Sequence, residues 1–155
     1  MMTLEYCNNE KIKIYSDREP CLAVRSILPF HTTEEKKDIK TYPYINKRNI
    51  NFFVHYDDDI YTLFIPKNYK WDGATIPRIF WRIIGPKGDN TFLLASMVHD
   101  KMCECKWLVK NNRYLSSLIF KELLLSCGVS EFKANLMFIA VDTFQKFISG
   151  WKKDK

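Results

Sequence analysis

Two short strings hold the residues whose types and spacing admit chemistry: Trp71-Asp72-Gly73-Ala74-Thr75-Ile76-Pro77, and Met97-Val98-His99-Asp100. Gly73 permits a positive φ or a close backbone approach, and Pro77 suits the first turn of a helix, where its missing N–H costs nothing. Asp72 and Thr75 can each accept hydrogen bonds from the free N–H groups at such a helix start. The string is therefore a strand-to-helix corner tied by its own polar side chains, or a rigid mount for Asp72 as a catalytic or metal-binding carboxylate. His99 falls on the apolar side of a predicted helix. Asp100 is its neighbour, and adjacent helical side chains diverge by about 100°, so the two do not form a dyad with each other. Asp72, Thr75, His99 and Asp100 are the candidate site residues. In a hydrolase His99 would act as general base for water, Asp72 would orient it or hold a cation, and helix-start N–H groups would steady an anion. In a structural role Asp72 and His99 would meet as a closed polar clasp. His99 and Cys103 have metal-ligand spacing but make only two ligands, short of a zinc site. No metal or cofactor is expected.

The elements that must position these residues change type along the chain. Through residue 70 it is β-rich. Ile12, Ile14 and Tyr15 predict a short strand, and another lies within Cys21 to Phe30, stopped by Pro29. Thr32 to Lys40 is polar, a loop or one exposed helical turn. Ile50–Tyr56 and Ile60–Ile65 are β-branched and aromatic, with Asp57, Asp58 and Asp59 between them as the turn of a hairpin. The three carboxylates lack the spaced ligands and glycine of a calcium loop, so they form a solvated turn.

From Pro77 the pattern is helical. Helices are predicted for 77–84, ended by Gly85-Pro86, for about 90–106, for about 113–127 with Gly128 as left-handed cap, and from an N-cap at Ser130 to Gly150. In the last of these, Phe132, Leu136, Met137, Ala140, Val141, Phe144 and Phe147 form a broad apolar face. Strands first and helices after predict an α+β fold: a small antiparallel sheet in the N-terminal half, then about four helices packed on one of its faces. The 155 residues fit a single domain, β-rich over 1–70, helical over 77–150, with a basic tail at 151–155.

Composition narrows the function classes. The chain is 46% hydrophobic and 27% charged, which argues against disorder. The net charge of +6 is uneven: residues through Lys70 are nearly neutral, and the 13 basic and 8 acidic residues beyond carry most of the excess. No basic stripe is interleaved with stacking aromatics, so the basic excess reads as a solvated surface, and nucleic acid is not a favoured partner. Five cysteines without repeated spacing do not describe a disulfide framework. No apolar run approaches the roughly 18 residues of a membrane helix, and Met1 to Glu10 lacks the pattern of a signal peptide. The expectation is a protein of a reducing cytoplasm or of a particle assembled there, making no membrane contact.

The two strings together resemble a phage and prophage protein family, domain of unknown function 1353. The resemblance rests on Asp72-Gly73-Ala74-Thr75-Ile76-Pro77, then Trp81, Gly85-Pro86, Ala95 and His99-Asp100. It continues through Phe120, Gly128-Val129, Ala134, Met137 and Ala140-Val141, covering Trp71 to about Phe147. Two positions depart from it. Lys101, Met102 and Cys103 stand where the family has a tyrosine soon after His-Asp, and Ser117 aligns with an acidic residue of its third helix. The resemblance implies a setting among phage structural or lysis genes. The expected function is a virion-associated structural or assembly protein of the neck, connector or tail, whose partners are other phage proteins or copies of itself. The alternative is a small hydrolase built on Asp72 and His99.

Overall fold

A computed structural model describes residues 3–72 and 90–147. Alternation of apolar and polar residues builds the larger sheet. Four antiparallel strands run in the order β1 (Leu4–Asn8), β2 (Ile12–Ser16), β5 (Ile50–Tyr56), β6 (Asp59–Ile65). Ile12 and Ile14 on β2, Ile50, Phe52 and Val54 on β5, and Tyr61, Leu63 and Ile65 on β6 all point to one buried face. The register places Ile14, Val54 and Tyr61 in one row across three strands. The predicted hairpin is present with a tighter turn: Asp59 pairs with Tyr56, leaving Asp57 and Asp58 as the two-residue loop.

A second, three-stranded sheet accompanies the one expected. It is antiparallel, in the order β3 (Leu22–Val24), β4 (Tyr44–Asn46), β7 (Lys70–Trp71). β3 lies within the strand expected in Cys21 to Phe30, but β4 and β7, of three and two residues, carry too few alternations to register in a sequence pattern. Buried Asn46 joins the sheets, its amide donating to the carbonyls of Ile65 at 3.3 Å and Pro66 at 2.9 Å. The polar stretch after Phe30 is a full helix, α1 (Thr33–Thr41), started by a capping box between Thr32 and Glu35. On α1, Asp38 receives Arg25 at 2.9 Å and Lys70 at 3.3 Å, tying the helix to the residue after β3 and to β7.

Three α-helices follow among the described residues: α2 (Asn90–Glu104), α3 (Arg113–Ser126) and α4 (Glu131–Phe147), with a 3-10 turn at Lys106–Val109. The helix expected at 77–84 and the basic tail lie outside the described residues. Asn112 caps α3 through the Leu115 N–H at 3.0 Å, and Ser130 caps α4 through the Lys133 N–H at 3.3 Å. Gly128 takes the left-handed cap position with φ +90°. α2 packs on α3 and touches β6, while α3 packs on α4 and β1. Both sheets and all three helices share one core, centred on Phe52, Trp71, Met97, Met102 and Phe120. The α+β class therefore stands, with strands first and helices after. No helix of the described residues is long and apolar enough to cross a membrane.

The broad apolar face expected on the last helix is two faces. Ala134, Met137, Ala140, Val141 and Gln145 are buried, while Phe132 is 71% exposed, Ile139 58% and Phe147 71%. At 100° per residue, Phe132 lies about 140° around the helix from Met137, too far to share its contact with α3.

Candidate functional site

The corner is pinned to α2 by Trp71. This residue ends β7 with its ring buried, stacked on Tyr69 at 6.1 Å between centroids and tilted against Tyr44 at 5.7 Å. Its indole N–H donates to Ser96 Oγ at 3.0 Å, and that hydroxyl lies 3.0 Å from the Leu93 carbonyl. Ser96 precedes His99 by one helical turn, so the bond brings the start of the first string beside the second.

Asp72 and Asp100 are both half-buried and line one open cleft of about 290 Å³. Among the described residues its walls are Tyr42, Trp71, Asp72, Asp100, Cys103, Glu104 and Gln145. Asp100 and Glu104 are four apart on α2, hence on one face. Thr75 lies outside the described residues, as does the helix start that would supply N–H donors. Among the described residues no group of three or more histidines, cysteines and carboxylates is arranged to hold a metal ion.

His99 is not among the residues that line this cleft. Its side chain is fully buried, with the ring of Phe120 5.2 Å away. Cys103 Sγ lies 3.7 Å from Nδ1 and 3.9 Å from Nε2, not aligned with a single ring nitrogen. Burial strips water from the imidazolium and lowers the His99 pKa to about 4, against a smaller upward pull from the charge of Asp142. The ring is thus neutral at physiological pH. Burial also pushes the Cys103 thiol up, which favours its protonated form.

Sequence reasoning missed Asp142 and Arg113. Asp142, on α4, receives Arg113 Nε at 3.1 Å and stands 3.0 Å from the hydroxyl of buried Ser117. Ser117 is the position where the resemblance placed an acid. Here a hydroxyl on α3 meets a carboxylate that reaches across from α4, and it is this carboxylate whose charge acts on His99. The available signal was a lone aspartate in an otherwise apolar helical stretch, Ile139-Ala140-Val141-Asp142.

Residues 49–141 match the family described as "Protein of unknown function (DUF1353)". The chain belongs to that family. The DUF1353 match starts at the β5–β6 hairpin, before the first string, and ends inside α4, so β1 to β4 and α1 lie outside it. An uncharacterised protein of Sinorhizobium fredii, y4jT, is 35% identical over 80 residues. That match covers 52% of this chain and 23% of the y4jT protein, so the chain spans about a quarter of the length of this curated relative. No solved structure matches the chain.

Proposed function

We infer that the chain is a virion-associated structural or assembly protein of a phage or prophage, in the neck, connector or tail region, acting through contacts with other protein chains. The phage setting is what the family resemblance implies. The observation that carries the mode of action is the outward row Phe132, Ile139 and Phe147 on α4, opposite the face that packs on α3. Large apolar side chains aligned on a surface are a mark of an interaction site. The chemistry-bearing side chains support the same reading, because His99 is enclosed and burial favours the protonated Cys103 thiol. A general base has to reach the proton it removes, directly or through one water.

The open cleft with Asp72 and Asp100 favours the second reading, a small hydrolase in which these carboxylates serve the chemistry. Gradient-banded particles separate the two. Mass spectrometry is expected to find the chain in them at fixed stoichiometry, and a Phe132→Glu, Phe147→Glu variant is expected to fold, by circular dichroism, and to be lost from them. A chain absent from particles, with a hydrolytic activity that Asp72→Asn removes, would replace this reading with the hydrolase.

A further inference from the structure

The four-stranded sheet has two edges, and they differ. β1 is blunted: its register shifts between Glu5 and Cys7, and α3 packs against it. β6 has no such guard. It runs seven residues, Asp59–Ile65, in unbroken register with β5, and from Ile60 to Ile65 it holds neither a proline nor a charge. The two-residue loop makes Tyr56 and Asp59 a hydrogen-bonded pair, and along an antiparallel ladder such pairs alternate. Tyr61, Leu63 and Ile65 therefore bond to β5, while Ile60, Thr62 and Phe64 aim their N–H and C=O groups away from the sheet. The carbonyl of Asn51, which faces Phe64, accepts from the N–H of Asp17 on the β2 side, as this alternation requires. Among the described residues none makes a hydrogen bond to these outward backbone groups. Ile60 is 65% exposed and Phe64 45%, and Thr62 between them is exposed as well.

We propose that this edge pairs with β6 of a second copy of the chain, antiparallel about a two-fold axis at Thr62, joining two four-stranded sheets into one. The backbone defines the occupant as a strand, because a strand offers N–H and C=O groups at the same alternation. It also defines which strand of the copy: β1 is bulged and backed by a helix, and β3, β4 and β7 are two or three residues long. With the axis at Thr62, that residue exchanges two bonds with its own copy, and Ile60 and Phe64 exchange two each with the partner's Phe64 and the partner's Ile60. No outward group from Ile60 to Phe64 is left over, the self-complementarity an isologous contact requires. On the solvent face of the sheet this sets Ile60 beside the partner's Phe64 and threonine beside threonine, both favourable cross-strand pairs. The uncharged run also lacks the like charges that keep an edge from meeting itself. Beyond it, the Asp57–Asp58 tip meets the turn at the partner's Lys67. At that tip Lys110 is engaged by Asp59 at 3.3 Å and Lys11 by the Tyr114 hydroxyl at 2.9 Å, and β5 separates Lys13 from the edge. The contact uses none of Phe132, Ile139 and Phe147, so it is independent of the reading of α4.

Sedimentation equilibrium on the purified full chain tests this. The weight-average mass is expected to rise with concentration from the monomer's 18.5 kDa toward twice that value. Amide exchange at Ile60, Thr62 and Phe64 should slow over the same range. Thr62→Lys and Thr62→Glu each set like charges on the axis and should weaken association at least about tenfold, with circular dichroism retained. An equimolar mixture of the two variants should recover it, because opposite charges then meet there. A wild-type monomer at every concentration, or a dimer whose three amides exchange as in the monomer, overturns the proposal. Single variants that dimerise as wild type does, or a mixture that stays monomeric, overturn the axis at Thr62. The Phe132→Glu, Phe147→Glu variant should dimerise as wild type does, so its loss from particles and the loss of the dimer are separate results; a dimer abolished by it overturns the β6 contact.

Discussion

Helices α2 and α4 depart from simple amphipathicity in opposite directions. From Phe92 to His99 every residue of α2 is buried, including the polar Ser96 and His99. α4 buries one side and presents a second apolar row to water. The residue with the most obvious chemical promise, His99, sits on the enclosed helix, where its ring serves packing and stays neutral. The residues that looked like ordinary core, Phe132 and Phe147, sit on the open one. Position in the fold, more than residue type, sorts the side chains that hold the domain together from those left to meet something else.

The largest effect expected from this contrast is on folding stability. Phe120 is fully buried on α3 against the His99 ring, and Phe120→Ala should cost about 3–5 kcal/mol, removed contacts plus the cavity left behind. Phe132→Ala, on the outer row, should stay within about 0.5 kcal/mol, as surface changes do. Urea unfolding at neutral pH measures both, and equal costs would break the comparison.

The enclosed histidine also predicts a pH dependence. With an ordinary value of 6.5 in the unfolded chain and about 4 in the fold, the ring is neutral in both states above pH 6.5 and contributes no slope there. Between 6.5 and 4 the unfolded chain takes up a proton that the folded one excludes. Stability therefore falls as the pH falls through that window, by about 3 kcal/mol at most. His99→Leu should flatten the window relative to wild type in urea titrations at pH 7 and pH 5. An unchanged slope would mean that His99 is not held neutral by burial.

A smaller effect tests the polar seam between α3 and α4. Ser117→Ala and Asp142→Asn, combined in a double-mutant cycle, should show a coupling of about 0.5–1.5 kcal/mol for their 3.0 Å contact. Because the charge of Asp142 raises the His99 pKa, Asp142→Asn should move the histidine titration to still lower pH, visible in its ring proton resonances. A titration that moves upward would contradict the placement of that charge.

How much of this was legible in the sequence follows the length of the local pattern. The hairpin and α2 to α4 were readable because each repeats its period several times and ends at a strong punctuating residue, such as Asn112, Gly128 or Ser130. β4 and β7 were not, since each is only two or three residues long and β4 pairs with strands 20 or more residues away; β1 pairs locally with β2, but its register shifts between Glu5 and Cys7, which breaks the alternation. Trp71 and His99 marked the right neighbourhood, but the bond that joins it, Trp71 to Ser96, links two residues whose types carry no pairing signal. Asp142 was hidden for the same reason: its partners Arg113 and Ser117 are 25 or more residues away and on another helix. The two-sidedness of α4 was present as periodicity, yet deciding which apolar row is covered needs the position of α3.

The smallest effect concerns the turn between β5 and β6, a stretch belonging to neither the enclosed helix α2 nor the two-faced helix α4. Asp57 and Asp58 both have positive φ, 51° and 65°, as a two-residue type I′ turn demands. Aspartate tolerates this region better than most residues, but glycine meets no Cβ penalty there, and Asp-Gly is a favoured pair for such turns. Asp58→Gly also removes the middle of three adjacent carboxylates and so their mutual repulsion. Against this, glycine gives the unfolded chain more freedom to lose. The balance should be a gain of about 0.5 kcal/mol, read as a higher urea midpoint with an unchanged slope. The His99 titration should not move with it. A change there would mean that the hairpin tip takes part in the enclosed core.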